Sequence, residues 1–191
     1  MLIVGVDEAG RGPLAGPVAV GVVCAPCEYD ILAVFPGLND SKKLSEKKRE
    51  ALFKILQQEL KAGNLTATVC LSSTRMIDDK GIAYAVRHAV ERGIRKLLPD
   101  PKAGKVYLDG SLKAPTEYEQ ETVIRGDGII PAIMLASVAA KVTRDRLMSR
   151  LDLEHPGYGF EKHKGYGTKA HYEAIRRLGP SGVHRTTFLH L

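Results

Sequence analysis

The chain begins with an uninterrupted apolar run over residues 2–6 that ends directly in two adjacent acids, Asp7 and Glu8. The run contains β-branched residues and no polar break, so it predicts a buried strand at the start of the fold. Ionised side chains at the end of a buried strand are costly unless a positive group neutralises them. The two acids therefore predict either a basic partner or a divalent cation at this edge of the sheet.

Strand-like and helix-like segments follow one another in an order that defines the fold class. The predicted strands cover residues 2–6, 17–25, 65–72, 106–108 and 122–124, and the main predicted helices cover residues 46–62, 82–98, 131–152 and 168–178. Three strands come first, and helices then alternate with strands, which predicts an α/β domain with a mixed sheet flanked by helices. We expect one catalytic domain over residues 1–152 and a small C-terminal extension of helix and loop, residues 153–191, packed on it.

The charge balance and the cysteines restrict the class of protein. Lys and Arg number 28 against 22 Asp and Glu, which gives a net charge of +6; this excess favours a polyanionic partner but also occurs on ordinary enzymes. No apolar run is long enough to span a membrane, and the N-terminus lacks the basic segment of a signal peptide. Cys24 and Cys27 form a C-x-x-C motif without a second ligand pair for zinc, so we expect ordinary thiols, a cytoplasmic location and no membrane association.

Two further acids, Asp109 and Asp127, also follow strand-like segments. Because adjacent strands bring their ends together, Asp7, Glu8, Asp109 and Asp127 are predicted to converge. Carboxylate oxygens are preferred ligands of Mg²⁺ and Mn²⁺, and two such ions can activate water and stabilise the leaving oxygen of a phosphodiester. Each acid taken alone also suits a solvated turn, since Asp109 and Asp127 both stand beside glycine. Only the joint pattern favours metal-assisted chemistry.

The glycine-rich segment after the first strand resembles a dinucleotide-binding loop but departs from it. Its spacing, set by Gly10, Gly12 and Gly16, is G-x-G-x-x-x-G, and Pro17 is followed by a strand where the pyrophosphate site needs a helix. A Rossmann fold is therefore disfavoured. The alternative is that small residues let the backbone approach a substrate closely, with Arg11 free to meet a phosphate.

The long predicted helix near residue 140 carries several charges with plain explanations. Asp145 lies four residues after Lys141, which predicts an ion pair along one helix face. Arg144, Arg146 and Arg150 fit two interpretations equally, because they can line a nucleic-acid duplex or merely solubilise the helix.

Taken together, the segments with chemical character resemble bacterial ribonuclease HII over nearly the full length of the chain. They are residues 6–12, 40–45, 107–110, 126–127, 136–145, 163–168 and 184–185. The resemblance implies a ribonuclease H-like fold and an endonuclease, expected to be a monomer, that uses Mn²⁺ or Mg²⁺. It further implies cleavage of the RNA strand of RNA–DNA hybrids and cleavage 5′ to single ribonucleotides in duplex DNA, which leaves a 3′-hydroxyl and a 5′-phosphate.

The same resemblance implies roles for individual residues. In that family, acids matching Asp7, Glu8, Asp109 and Asp127 are catalytic and hold the metals. Residues matching Gly10, Arg11 and Gly12 contact the ribose 2′-hydroxyl at the RNA-to-DNA junction, the tyrosine matching Tyr166 stacks on a sugar there, and lysines near Lys42 and Lys43 touch phosphates. The 2′-hydroxyl is the local difference between RNA and DNA, so a glycine loop is suited to reading it. Tyr166 as a packed aromatic and the two lysines as a solvated face stay open alternatives.

One segment departs from the family pattern, and three rival functions remain. Residues 128–135 are apolar where the family more often has a polar stretch, which leaves the start of the helix in doubt. The rivals are a non-catalytic nucleic-acid-binding module, a sister nuclease such as a junction resolvase or ribonuclease HIII, and a nucleotide-binding oxidoreductase. The glycine–arginine–glycine run and Tyr166 favour the ribonuclease HII type.

Overall fold

The computed structural model describes residues 1–189, so the last two residues of the expected C-terminal extension lie outside the described residues. The strands of the described chain are β1 (Leu2–Ala9), β2 (Val18–Pro26), β3 (Thr66–Ser72), β4 (Gly104–Asp109) and β5 (Gln120–Val123). The helices are α1 (Ile31–Val34), α2 (Glu46–Ala62), α3 (Thr74–Lys80), α4 (Ile82–Leu97), α5 (Pro131–Glu154), α6 (Phe160–His163) and α7 (Lys169–Leu178). Two 3₁₀ turns cover Gly126–Gly128 and Thr186–Phe188.

The five strands form one mixed sheet in the order β3-β2-β1-β4-β5. β1 pairs antiparallel with β2 and parallel with β4, while β3 and β5 occupy the two edges. The prediction of a mixed sheet flanked by helices is therefore confirmed. This order places β1 at the centre, beside both a hairpin partner and a parallel neighbour.

The prediction that β1 ends at residue 6 is wrong. Antiparallel pairing continues to Ala9, which lies opposite Ala19 of β2. Asp7 and Glu8 therefore belong to the paired part of the strand and do not follow it. The predicted strand is too short because charged residues usually indicate the end of a buried strand.

Helices cover both faces of the sheet, and the alternation of strand side chains assigns a core to each face. Val4 and Val6 point towards the core that contains α4, while Ile3 points towards the core that contains α2 and α5. α5 lies very close to the centre of the sheet, because a Cβ atom on Gly5 would overlap the backbone of Ala132. Only a glycine at that position in β1 lets the helix pack so tightly.

The predicted helix boundaries agree with the capping contacts. The Ser45 hydroxyl accepts from the Lys48 N–H at the start of α2, and Gly63 ends that helix in the left-handed region. Pro131 occupies the first turn of α5, as predicted, which also fixes the helix start that the apolar segment had left in doubt.

A third core joins the C-terminal segment to the glycine-rich loop after β1. Phe160 and Ile175 pack with Leu14 and with Met148 of α5. Backbone hydrogen bonds add to this packing, because the Leu14 N–H donates to the Gly165 carbonyl. The division into two domains at residue 152 stays a prediction; α5 itself continues to residue 154.

Candidate active site

Three carboxylates converge where β1 and β4 end side by side. Asp7, Asp109 and Asp127 each offer an oxygen, and these oxygens lie within 4.8 Å of one another. The parallel register pairs residue 6 with residue 108, so the next residues on each strand, Asp7 and Asp109, are neighbours. Asp127 comes from the 3₁₀ turn before α5, and its N–H donates to Asp109 Oδ1 at 3.3 Å.

Glu8 completes the predicted acidic set but approaches from another direction. It follows Asp7 on the strand, so its side chain starts from the opposite face of the sheet. It forms an ion pair with Arg11 at 3.6 Å and lines the same pocket as Asp7 and Asp109. Glu8 is therefore adjacent to the group of three oxygens and is not one of its members.

Asp7 is the most strongly perturbed of these acids. It is 4% exposed, and burial raises its pKa to about 8, with the charges of Glu8 and Asp109 acting in the same direction and the Ser137 hydroxyl opposing them. Burial likewise raises the pKa of Glu8, although Arg11 lowers it. A carboxylate in this position needs more positive charge than the surrounding protein provides. Hard oxygen donors in this setting fit a divalent cation.

The two predicted lysines have different surroundings. Lys42 Nζ donates to Asp127 Oδ2 at 2.9 Å, and this contact raises the pKa of Lys42. Its neighbour Lys43 is exposed and does not line the pocket. The segment that carries both is fixed to α5, because the hydroxyls of Ser41 and Ser137 are 2.7 Å apart.

The glycine-rich loop is held from below by two buried guanidinium groups. Arg185 is fully buried and donates to the carbonyl oxygens of Gly10 at 2.6 Å, Arg11 at 2.9 Å and Gly16 at 2.9 Å. Gly10 has a φ of +87°, and a Cβ there would overlap the side chain of Arg144. The loop conformation is thus fixed both by glycine and by a cation beneath it.

Both sequence interpretations of Arg144 are wrong. It neither lines an open surface nor solubilises α5, because it is 1% exposed and donates to the carbonyls of Ala15, Pro17 and Lys164. Arg146 pairs with Glu50 instead. The sequence carries no signal for a buried Arg144 or Arg185, since their partners are backbone carbonyls that are distant along the chain.

The predicted ion pair on α5 is confirmed. Lys141 Nζ lies 2.7 Å from Asp145 Oδ1, and Arg49 of α2 approaches the other oxygen of the same carboxylate at 3.8 Å. Lys141 also lines the pocket that contains Asp7. It adds a positive charge at the pocket wall, which the sequence interpretation had not assigned.

Tyr166 lies at the mouth of the same pocket. Its side chain is 46% exposed, so the alternative of a packed aromatic does not hold. The Tyr166 backbone is fixed, because its N–H donates to the His163 carbonyl and its own carbonyl contacts His171 Nδ1 at 2.9 Å. A fixed backbone beneath an exposed ring suits a stacking platform.

Three histidines stack below Tyr166 in the third core. The His163 and His171 rings are 4.3 Å apart, and His171 Nε2 lies 3.1 Å from His184 Nε2. Burial lowers the pKa of His171 to about 4 and lowers that of His184 as well. His171 and His184 are therefore neutral structural groups at neutral pH.

Two broader expectations can be compared with the described residues. No described helix combines the length and the apolar character that crossing a bilayer requires. The cysteines Cys24, Cys27 and Cys70 are all free thiols. Cys27 instead contacts Glu28, so the C-x-x-C motif forms no bridge.

Comparisons with known proteins agree with the geometry. The family model described as Ribonuclease HII matches residues 4–191. Ribonuclease HII of Azorhizobium caulinodans is 46% identical over 97% of this chain and 68% of its own length, and that of Coxiella burnetii is 45% identical over 98% and 88%. Among solved structures, Archaeoglobus fulgidus RNase HII in a complex with PCNA superposes with a TM-score of 0.76 at 23% identity, covering 97% of this chain and 94% of that one, which shows a shared ribonuclease H-like fold.

Proposed function

Because this chain belongs to the ribonuclease HII family and is a ribonuclease H acting on RNA–DNA hybrids, we propose that it also cuts 5′ to single ribonucleotides in duplex DNA. The cut leaves a 3′-hydroxyl and a 5′-phosphate, and it depends on Mn²⁺ or Mg²⁺. The single observation that carries the proposal is the pocket in which Asp7 and Asp109 lie beside the loop of Gly10, Arg11 and Gly12. The carboxylates that would hold a cation and the backbone that would contact a ribose line the same pocket.

The metal ligands in this proposal are Asp7, Asp109 and Asp127, with Glu8 at the rim. Their oxygens are close enough to share a cation, and the raised pKa of Asp7 reflects a carboxylate that lacks sufficient positive charge around it. When bound, Mg²⁺ or Mn²⁺ supplies Lewis-acid stabilisation of the charge on the reacting phosphate and lowers the pKa of water. The protein contributes the fixed positions of the acids, because β1 and β4 are packed on both faces.

Lys42 exchanges partners in the proposed cycle. Its ammonium neutralises Asp127, and most of its side chain is exposed. Asp127 would hold a divalent cation in place of the ammonium, and Lys42 would then be free to contact a substrate phosphate. Lys141 extends the same positive wall, whereas Lys43 lies exposed beside it, so Lys42 and Lys141 orient the strand while the acids hold the metal.

Ribose recognition rests on the backbone of the glycine loop. Arg185 donates hydrogen bonds to the carbonyl oxygens of Gly10 and Arg11 from inside the protein, so these peptide groups cannot rotate freely. Their outer surface then presents a fixed set of polar groups to the minor groove of the duplex, where the 2′-hydroxyl is displayed. Tyr166 stacks on the adjacent sugar and completes recognition of the RNA-to-DNA junction.

The proposed enzyme is a monomer located in the cytoplasm. Asp7, Asp109, the glycine loop and Tyr166 line one pocket within a single chain, and we propose a monomeric enzyme. Free thiols at Cys24, Cys27 and Cys70 support a reducing compartment, and we propose the cytoplasm.

A cleavage assay on a DNA duplex with one embedded ribonucleotide tests the function. We expect a single cut 5′ to the ribonucleotide in Mn²⁺ or Mg²⁺, no product in EDTA, and ends that a DNA polymerase extends from the 3′-hydroxyl. An all-DNA duplex is the matched control. Binding without any metal-dependent product would instead support a non-catalytic module, and cleavage of the control at the same rate would exclude ribose recognition.

A further inference from the structure

A second, purely basic cleft lies beside the carboxylate pocket and shares one residue with it. Arg11 lines both, and the cleft continues over Arg87 of α4 and over Ser111 and Lys113, which follow β4. Val86 and Leu112 form its apolar floor. We call this surface the basic cleft.

The charges of the basic cleft are not neutralised within it, although the Arg87 guanidinium lies 5.5 Å from the centre of the Tyr84 ring. No acidic residue lines it within the described part of the chain, and neither Arg87 nor Lys113 forms an ion pair there. Arg11 bridges the two sites, since it pairs with Glu8 on the pocket side. Three guanidinium or ammonium groups and one hydroxyl, without a carboxylate, form a donor set that suits a phosphate.

The basic cleft lies next to the proposed cleavage site. The loop that follows Asp109 carries Ser111 and Lys113 directly from the acidic group to the cleft. On the sheet, the cleft belongs to the α4 side, whereas Lys42 and Ser137 lie on the α5 side. A duplex has one negative charge per about 1.7 Å of helix axis, so a duplex seated at the acids presents further phosphates on both sides.

The exposure of the cleft to solvent favours a polymer over a small anion as its ligand. Arg87, Ser111 and Lys113 are all exposed, so they cannot desolvate and enclose a free ion. Such groups act on a phosphate that other contacts already hold in place. We propose that the basic cleft binds a backbone phosphate of the duplex outside the cleaved linkage. This inference rests on the proposed function for the seating of the duplex.

The test replaces backbone phosphates of the one-ribonucleotide duplex singly with neutral methylphosphonates and measures binding in EDTA, which prevents cleavage. Wild-type protein is compared with the double variant R87Q/K113Q. The matched control is R92Q/K102Q, which removes the same charge from exposed residues on α4 and before β4 that do not line the cleft. Thermal melting checks that both variants fold.

At one or two positions we expect a methylphosphonate to weaken wild-type binding about tenfold and to leave R87Q/K113Q unaffected, which is the signature of a direct contact. The slope of log affinity against log salt should fall by about 2 in R87Q/K113Q, and by less in the control. Equal losses for wild type and R87Q/K113Q at every position would overturn the proposal. A second outcome would also overturn it: inorganic phosphate at constant ionic strength displaces the duplex from wild type but not from R87Q/K113Q. The cleft would then bind free phosphate.

The outcome is independent of the cleavage assay. If wild type cuts nothing but the coupling to one phosphate persists, the proposed function fails and the basic cleft stands. If wild type cuts and kcat in R87Q/K113Q is retained without any phosphate coupling, the basic cleft fails and the proposed function stands.

Discussion

The Lys42 ammonium donates to the Asp127 carboxylate at 2.9 Å, although the lysine side chain is 76% exposed and the aspartate side chain only 6%. An exposed cationic side chain thus neutralises a buried acid at the place where a metal ion is proposed. Lysine and metal compete for one carboxylate, and the first prediction follows from this competition.

Lys42→Met should tighten Mn²⁺ binding by about three- to tenfold in the absence of substrate, since an ion pair with one exposed partner contributes about 1 kcal/mol. The same variant should weaken binding of the duplex. Calorimetric titration with Mn²⁺ measures the first effect, and Lys43→Met, which changes an exposed neighbour, is the control. Weaker metal binding by Lys42→Met would show that the lysine does not compete.

Asp109→Asn should reduce cleavage at least about a thousandfold, because it removes a negative ligand from the cation that stabilises the reacting phosphate. Asp7→Asn should behave in the same way, while both variants still bind an RNA–DNA hybrid in EDTA. Single-turnover cleavage and a binding titration give the two numbers. Asp100→Asn, at an exposed acid remote from the pocket, should cleave as wild type does. Substantial turnover by Asp109→Asn would argue strongly against the metal assignment.

Tyr166→Ala should slow cleavage at a lone ribonucleotide about 5- to 150-fold, since stacking on a nucleic-acid group contributes about 1–3 kcal/mol. The melting temperature should change little, because the ring is half exposed. Tyr166→Phe should retain most activity, as stacking needs the ring and not the hydroxyl. Tyr166→Phe is therefore the matched control. An unchanged rate in Tyr166→Ala would eliminate the sugar-stacking role.

Arg185→Lys should lower the preference for a ribose over a deoxyribose duplex, because an ammonium cannot reach three carbonyls of the loop as a guanidinium does. Stability should fall by about 1–3 kcal/mol, since buried carbonyls lose donors. The ratio of the two dissociation constants is the informative readout, as lost stability alone does not change it. Arg177→Lys, whose guanidinium donates to the Gly157 carbonyl, is the control. A retained ratio would mean that Arg185 supports folding only.

The histidine stack predicts acid sensitivity. The pKa of His171 is about 4 in the folded protein against an ordinary 6.5, so at this residue the unfolded chain binds more protons between these values, and the contribution of His171 to stability falls as pH falls from about 6.5 to 4. The raised pKa of Asp7 acts in the opposite direction over this range, so the His171 contribution is read as the difference between wild type and a His171 variant. The loss from His171 is on the order of 3 kcal/mol. Urea denaturation at several pH values measures it. His171→Gln should lack this contribution, and the control His88→Gln, in α4 away from the stack, should retain it. The same steep dependence in His171→Gln would assign it to other groups.

The sequence predicts the part of the site that depends on strand order. Asp7 and Asp109 each follow an apolar run, and neighbouring parallel strands bring such residues together without further information. The position of Asp127 is less accessible to this reasoning, because it depends on a 3₁₀ turn preceded by Arg125 in the left-handed region. Patterns of hydrophobicity do not encode a single unusual backbone angle.

The supporting contacts could not be predicted. Arg144 and Arg185 are charged residues in segments that suit a solvated helix and an irregular tail. Their burial follows from carbonyl groups of the glycine loop, and every residue type has a carbonyl. Only the completed fold reveals which carbonyls turn inward and need a donor.

The most direct test of the central claim is anomalous diffraction at the manganese edge from crystals soaked in Mn²⁺. We predict a peak bonded to carboxylate oxygens of Asp7 and Asp109, with Asp127 within reach and Lys42 displaced from it. No peak at this site at saturating Mn²⁺, or a peak held by other residues while the enzyme is active, would contradict the assignment.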